Sequence, residues 1–507
     1  MSAEINHSTR LYFPYTFDSG AKISDFVNFS RHLSSLTVSS LFLNAAYLDD
    51  KSHGLFLKSK LWEKTNYKLE NRIHDVADKL INGIHDASNC DGFFGLHPYK
   101  LSSDAIRILN QGSKQDIGQG VSVPLKATSL KRLSEKGINA PIENNRWPLM
   151  FNNVWFYGFN TGVGMMVIDI SYKQPKKNGI ALTSLEELQE LNYMIARSVI
   201  KRKSAESIWG ENENSKGIVE LVSALLPLSK GQSINLQPTK DHGNAYTYTS
   251  IATDQKLSYT DRKTYLFRIT RKYTDMYLPE NIDEHIEYFE PFKPITHAFC
   301  LEGAASFIDY TSYDDNVPQT ISNFTNDTIP KAYAPMVLLT YAEYIFLREM
   351  SANSSDSDKV DMLNPTNNNL SKLRKFKAKL YGFRMNFEFV QISGNTNHNL
   401  FYKANKKSLE VDKLLNKLSC DTQEIEQYIS DYVSQKQASR FRKFGIMASL
   451  FAVIIGWIDL WGLNLHKVFF GTVPINQLSL KIFLSVLIVL GILVVIMNMP
   501  PKDKKKN

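Results

Sequence analysis

The spacing of apolar and polar positions divides the chain into three textures. Up to about residue 330, short runs rich in aromatic and β-branched residues alternate with helical or polar stretches. "RLYFPYTF" (10–17), "NNVWFYGF" (152–159), "GMMVIDISY" (164–172), "KTYLFRIT" (263–270) and "HAFCLEGAASFIDY" (297–310) predict strands. "VWFYGFNTGVGMMVIDI" predicts a hairpin turned at Asn160-Thr161-Gly162-Val163-Gly164, where glycine can take positive φ. Leu185, Leu188, Leu191, Met194, Ile195 and Val199 recur at the spacing of one helical face, so helices accompany the sheet. The expectation for residues 1–330 is an α/β cytoplasmic domain, a mixed sheet layered with helices.

From Pro335 the pattern becomes helical. "PMVLLTYAEYIFLREM" carries proline in a plausible first turn and runs into "SANSSDSDKVDMLNPTNNN", too polar to pack and read as a loop. Leu370, Leu373, Phe376, Leu380, Phe383, Phe387 and Val390 step by threes and fours, one apolar stripe along a helix. After a turn at "SGNTNHN" comes a charged, glycine-poor segment that predicts a stalk helix from Val411 to Leu463, about 80 Å long. A break near Asp421 is compatible too, because Asp421 and Glu424 have the spacing of a helix start. Self-association is the cheapest way to bury Leu414, Leu415, Leu418, Ile425 and Ile429 on such a rod. Residues 331–443 therefore read as a helical hairpin and stalk, and no internal repeat is visible.

The third texture is apolar. Phe444 to Leu463 holds one charge in twenty residues and Ile482 to Met499 none in eighteen, lengths that predict two transmembrane helices over 444–499. Arg440, Arg442 and Lys443 precede the first run, and Lys502, Lys504, Lys505 and Lys506 follow the second. Both ends should then stay cytoplasmic, with an external loop at 464–481 and a basic tail at 500–507. The implied location is a bacterial inner membrane, crossed twice. Trp457 and Trp461 suit an interfacial belt or packing between helices.

Composition narrows the class. Among 507 residues, 59 basic and 51 acidic side chains are mixed along the chain, so the net charge of +8 does not mark a nucleic-acid surface. Cys90, Cys300 and Cys420 are far apart and odd in number, which fits a reducing compartment. The amino-terminal "MSAEINHSTRLYFPYTF" has no signal-peptide pattern. No catalytic constellation stands out, and the chain is read as no enzyme and as having no cofactor of its own. His85, Cys90 and His97 match no standard zinc spacing, and "GFNTGVG" enters a strand instead of opening a phosphate-binding helix. Asp314 and Asp315 read as a solvated loop that could hold regulatory Mg²⁺ in an oligomer.

Taken together, a soluble α/β region, a helical hairpin, a long stalk, a first apolar run ending in Trp461-Gly462-Leu463-Asn464, a short loop, a second run and a lysine tail resemble the CorA magnesium transporter superfamily. The resemblance covers residues 331–507, and Leu463 stands where the family carries methionine. It implies a homopentamer in the bilayer, with the first span lining a pore for Mg²⁺ or another divalent cation and Asn464 ringing its outer mouth. There an amide oxygen could hold hydrated Mg²⁺ without stripping its water. Gly462 would let the helix end turn.

The residues speak separately. Asp459 in mid-bilayer would cost roughly 2.5 to 3.5 kcal/mol. Gly445, Ala448, Ala452, Ile455, Asp459 and Gly462 recur at threes and fours, a mostly small face. Such a face fits close helix packing or a shared watery axis lined by Asp459, and Asp459 could also snorkel outward. The loop "LHKVFFGTVPINQLSLK" has no acid to concentrate cations. Two other functions therefore stand beside cation transport: a membrane effector channel of a defence system, opened by a small anionic or nucleotide ligand, and a tethered soluble enzyme or binding module.

Overall fold

The computed structural model describes residues 5–17, 23–38, 59–83, 95–111, 122–124, 127–135, 146–172, 184–199, 218–226, 236–238, 245–274, 278–312, 317–355, 367–387 and 391–470. Two units share the chain. The first comprises residues 1–356 and 377–420, the second 357–376 and 421–507.

The first unit is built on one mixed sheet. Its strands are β1 (Ile5–Phe17), β2 (Trp62–Lys64), β3 (Tyr99–Leu101), β4 (Ser122–Pro124), β5 (Arg146–Phe159), β6 (Val163–Tyr172), β7 (Leu236–Pro238), β8 (Tyr246–Thr253), β9 (Glu287–Phe292), β10 (Ile295–Phe299) and β11 (Gly303–Asp309). They are ordered β2-β3-β5-β6-β1-β8-β11-β10-β9, with β4 added on β5 and β7 on β1. Every described pairing is antiparallel except that of β8 with β11. The mixed sheet with helices follows the pattern expected for this region.

Alternation along β1 sorts its two faces. Leu11 and Phe13 point into the larger core with Phe156, Ile168 and Ile170. That face is covered by α1 (Ile23–Ser35), α3 (Ser103–Gln111), α4 (Ala127–Glu135), α5 (Leu185–Val199), α6 (Ile218–Leu225) and α7 (Tyr259–Arg271), through residues such as Phe29, Leu109, Leu133, Leu191, Leu221 and Leu266. α2 (Asp75–Asn82) follows β2. On the opposite face Tyr12 meets Tyr246 and Tyr341, and Tyr248 meets Phe401. Tyr341 and Phe401 belong to α9 (Ala334–Ser355) and α11 (Thr396–Ser408). Between β11 and α9 the chain makes α8 (Val317–Ser322) and an eleven-residue π-helix, Asn323–Tyr333. The hairpin between β5 and β6 turns where expected, with Gly162 at φ 93°.

Three expectations change. "KTYLFRIT" is not a strand: it forms α7, started by Ser258, whose hydroxyl accepts the Asp261 amide. Its aromatic and β-branched content suits a sheet, but Leu266 and Ile269 are buried at helical spacing and the Ser258-x-x-Asp261 cap selects the helix. The stalk begins at Val411 as expected, but α12 (Val411–Phe470) runs through Asp421 without a break. It also continues past Gly462 and Asn464, so "WGLN" lies within a helix and does not end one.

The third correction concerns the membrane. Among the described residues no helix is long and apolar enough to cross one, against the two spans, the inner-membrane location and the transport role read from the sequence. Within the first apolar run, the side chains of α12 are described at residues 444–453 and 456, and the rest of that run lies outside them. The second run, Ile482 to Met499, lies outside the described residues.

In the second unit, Leu373 of α10 (Asn367–Phe387) packs with Ile429 of α12, and Ile425 and Val433 flank them. The stripe that predicted α10 thus buries one of its members against the stalk.

Candidate functional site

A cavity of about 470 Å³ opens on the aromatic face of the sheet, within the first unit. That volume is within the range of small-molecule sites. Its floor comes from β1, β5, β6 and β8, and its walls from residues 65–68 and the π-helix.

The floor centres on Arg10 and Asp169, directly opposed across β1 and β6. Their side chains are 8% and 9% exposed, with Nε of Arg10 3.3 Å from Oδ2 of Asp169. Removing two charges from water is costly unless each finds partners. Asp169 accepts from the Ser8 hydroxyl at 2.6 Å and from the Asn152 amide at 3.1 Å. Nη1 of Arg10 donates to the Tyr67 hydroxyl at 3.4 Å, and its guanidinium lies 5.4 Å from the Trp155 ring. Burial works against the Arg10 cation, but Tyr67 and Asp169 outweigh it and raise its pKa. The floor is therefore a fixed ion pair.

A bulge shapes the wall beside it. The β5–β6 register slips between Phe151 and Asn153, which brings Asn152 and Asn153 together to the cavity. Asn152 is held by Asp169 and by the Ser171 hydroxyl. At the edge, Nε2 of His7 accepts the Tyr172 amide at 3.0 Å, and burial lowers the His7 pKa to about 4. His7 is accordingly a neutral ring, and the cavity's positive charge comes from elsewhere.

Three lysines provide it. Lys68, Lys100 and Lys331 line the opening with Arg10, against Asp169 as the one lining carboxylate. Lys331 pairs with Asp327, one helical turn away. Lys68 and Lys100 have no acidic partner among the described residues. Lys100 stands opposite Glu63 across β2 and β3 without an ion pair between them; lysines not held in ion pairs around amide-rich walls, with an aromatic ring near the floor, can hold an anion that also offers hydrogen-bonding groups.

A second polar cluster imitates a catalytic one. Ser393 Oγ lies 3.0 Å from Nδ1 of His398, whose Nε2 is 3.4 Å from Glu70. The serine is fully buried, donates to the Arg72 carbonyl and accepts the Asn395 amide. It is a clamp on the 70–73 segment.

The residues singled out in the sequence do not meet here. Ala448 and Ala452 are exposed on α12, and Gly445 has open space around it. The backbone of Ile455, Asp459, Gly462, Leu463 and Asn464 belongs to the same helix, but their side chains lie outside the described residues. Asp314 and Asp315 lie outside them as well, as do His85 and Cys90. Among the described residues no group of three His, Cys, Asp or Glu side chains could hold a metal ion. The cavity leaves one signal in the sequence: Arg10 and Asp169 are single opposite charges inside two apolar-rich strands.

No protein-family model matches the chain, and no curated protein sequence matches it.

Proposed function

We propose that the first unit is a binding module for a small phosphate-bearing ligand of the nucleotide class. The observation that carries this reading is the pairing of a fixed, buried Arg10–Asp169 floor with Lys68 and Lys100 at the opening, free of acidic partners among the described residues. A buried ion pair organises the floor without using up the positive charge at the rim. Phosphate favours such a rim, because lysine binds it as a point charge. The amides of Asn66, Asn152, Asn153 and Asn326 offer donors and acceptors to the remainder of a nucleotide.

Calorimetric titration with pyrophosphate and with ATP tests the reading. Wild type should bind at least one of them, with affinity falling as salt rises. Lys68→Glu/Lys100→Glu should weaken that binding by at least about tenfold while leaving the melting temperature near wild type, because Lys68 is exposed, Lys100 is only half-buried, and neither is held in an ion pair among the described residues. Equal heats for wild type and the double variant, or none from either probe, would remove this assignment.

A further inference from the structure

The π-helix that walls the cavity is held in register by a residue of the cavity itself, and Pro335 explains how. In a π-helix each N–H reaches back five residues, and such runs are rare beyond a single turn. Here the run is eleven residues long, and its last bond is the Ala334 amide donating to the Ile329 carbonyl. The next carbonyl, Pro330, would take its hydrogen from residue 335. That residue is proline and has none. The carbonyl after it, Lys331, would in the tighter α-register also look to residue 335. Pro335 thus leaves two successive carbonyls without a helical donor at the junction with α9.

Both carbonyls are taken by one outside segment. The Tyr67 hydroxyl donates to the Pro330 carbonyl, and the Glu70 amide donates to the Lys331 carbonyl at 3.0 Å. Tyr67 at the same time accepts from Arg10 on the cavity floor. Its hydroxyl therefore hydrogen-bonds the floor and the π-helix at once.

We infer that Tyr67 is a latch that holds the π-register of Asn323–Tyr333 and joins it to the cavity floor. A shift of one residue would turn the following helix by about 100°. That helix, α9, buries Tyr341 against Tyr246 at 4.6 Å, and its Glu343 meets Lys406 of α11 at 3.5 Å. The latch accordingly stands between the cavity and a helix that carries buried contacts of the same unit. The inference gains its ligand-sensing meaning from the binding role proposed above, but the hydrogen bonds that carry it stand without a ligand.

Hydrogen exchange of the full chain, read by mass spectrometry with no ligand present, tests it. Tyr67→Phe should raise exchange within residues 323–334 about tenfold, the worth of one hydrogen bond, while peptides of β6 and α5 stay at wild-type rates. Pro335→Ala supplies the missing donor, so Tyr67→Phe/Pro335→Ala should return toward wild type. Unchanged exchange at 323–334 in Tyr67→Phe would overturn the latch. So would uniform acceleration across the molecule that Pro335→Ala does not reverse. Pyrophosphate and ATP titrations of the wild type are scored separately: absent binding with a loosened 323–334 segment removes the ligand and leaves the latch.

Discussion

Arg10 and Asp169 share the cost of a buried charge at the centre of a sheet. With side chains less than a tenth exposed, neither is compensated by water, and each depends on the other and on Ser8, Asn152 and Tyr67. Asp169→Ala should therefore destabilise the molecule by about 3 kcal/mol or more, because it leaves a guanidinium buried without its counter-charge. Chemical denaturation checks this, and a loss below about 1 kcal/mol would mean that water reaches the pair. The same two residues mark how far the site was legible. A lone arginine in "RLYFPYTF" and a lone aspartate in "MMVIDISY" are anomalies in strands otherwise rich in aromatic and β-branched residues. Their pairing depends on β1 lying beside β6 and on the register Arg10↔Asp169, which periodicity does not encode. Lys68 and Lys100 were less legible still, since a surface lysine carries no pattern of its own.

The elements were read best where local chemistry and pattern agreed. The β5–β6 hairpin follows from Gly162 between two apolar runs, and α5 from its spaced leucines. In "KTYLFRIT" residue preference favours a strand while the cap favours a helix, and the cap prevails. Ser258→Ala should cost about 1 kcal/mol, the worth of a lost N-cap, with the loss concentrated in exchange at the first turn of α7. An exchange pattern identical to wild type there would show that packing of Leu266 and Ile269 alone fixes the helix. The π-helix was not legible by periodicity, although Pro335 marks the place where a helix must leave carbonyls to an outside donor. The apolar runs near the carboxyl end show the opposite risk. Composition alone predicted two spans, whereas the described part of α12 gives no helix that could cross a membrane.

At the scale of the whole molecule, buried titratable groups set the response to acid. Burial lowers His7 to about 4 and His297 to about 3, against an ordinary value of 6.5. Between these values the unfolded chain binds more protons than the folded one, so their contribution is complete above pH 6.5 and is lost as pH falls toward 4 and 3. Glu343 works the other way. Burial raises it to about 7 despite Lys406 and Tyr402, so the folded state holds its proton while the unfolded chain releases it near 4.5. Its contribution is complete below 4.5 and is lost as pH rises through 7. Glu343→Gln should consequently compare more favourably with wild type at pH 8 than at pH 5, as read from denaturation midpoints. A difference independent of pH would exclude an uncharged Glu343.

The central claim is that the cavity over the Arg10–Asp169 floor receives a phosphate group. Its most direct test is a structure of the full chain determined in the presence of ATP or pyrophosphate. The account predicts phosphate density in the cavity within about 3 Å of the ammonium groups of Lys68 or Lys100, with the Arg10–Asp169 pair intact beneath it. Phosphate bound elsewhere on the chain, or a cavity holding solvent alone at saturating ligand, would contradict it.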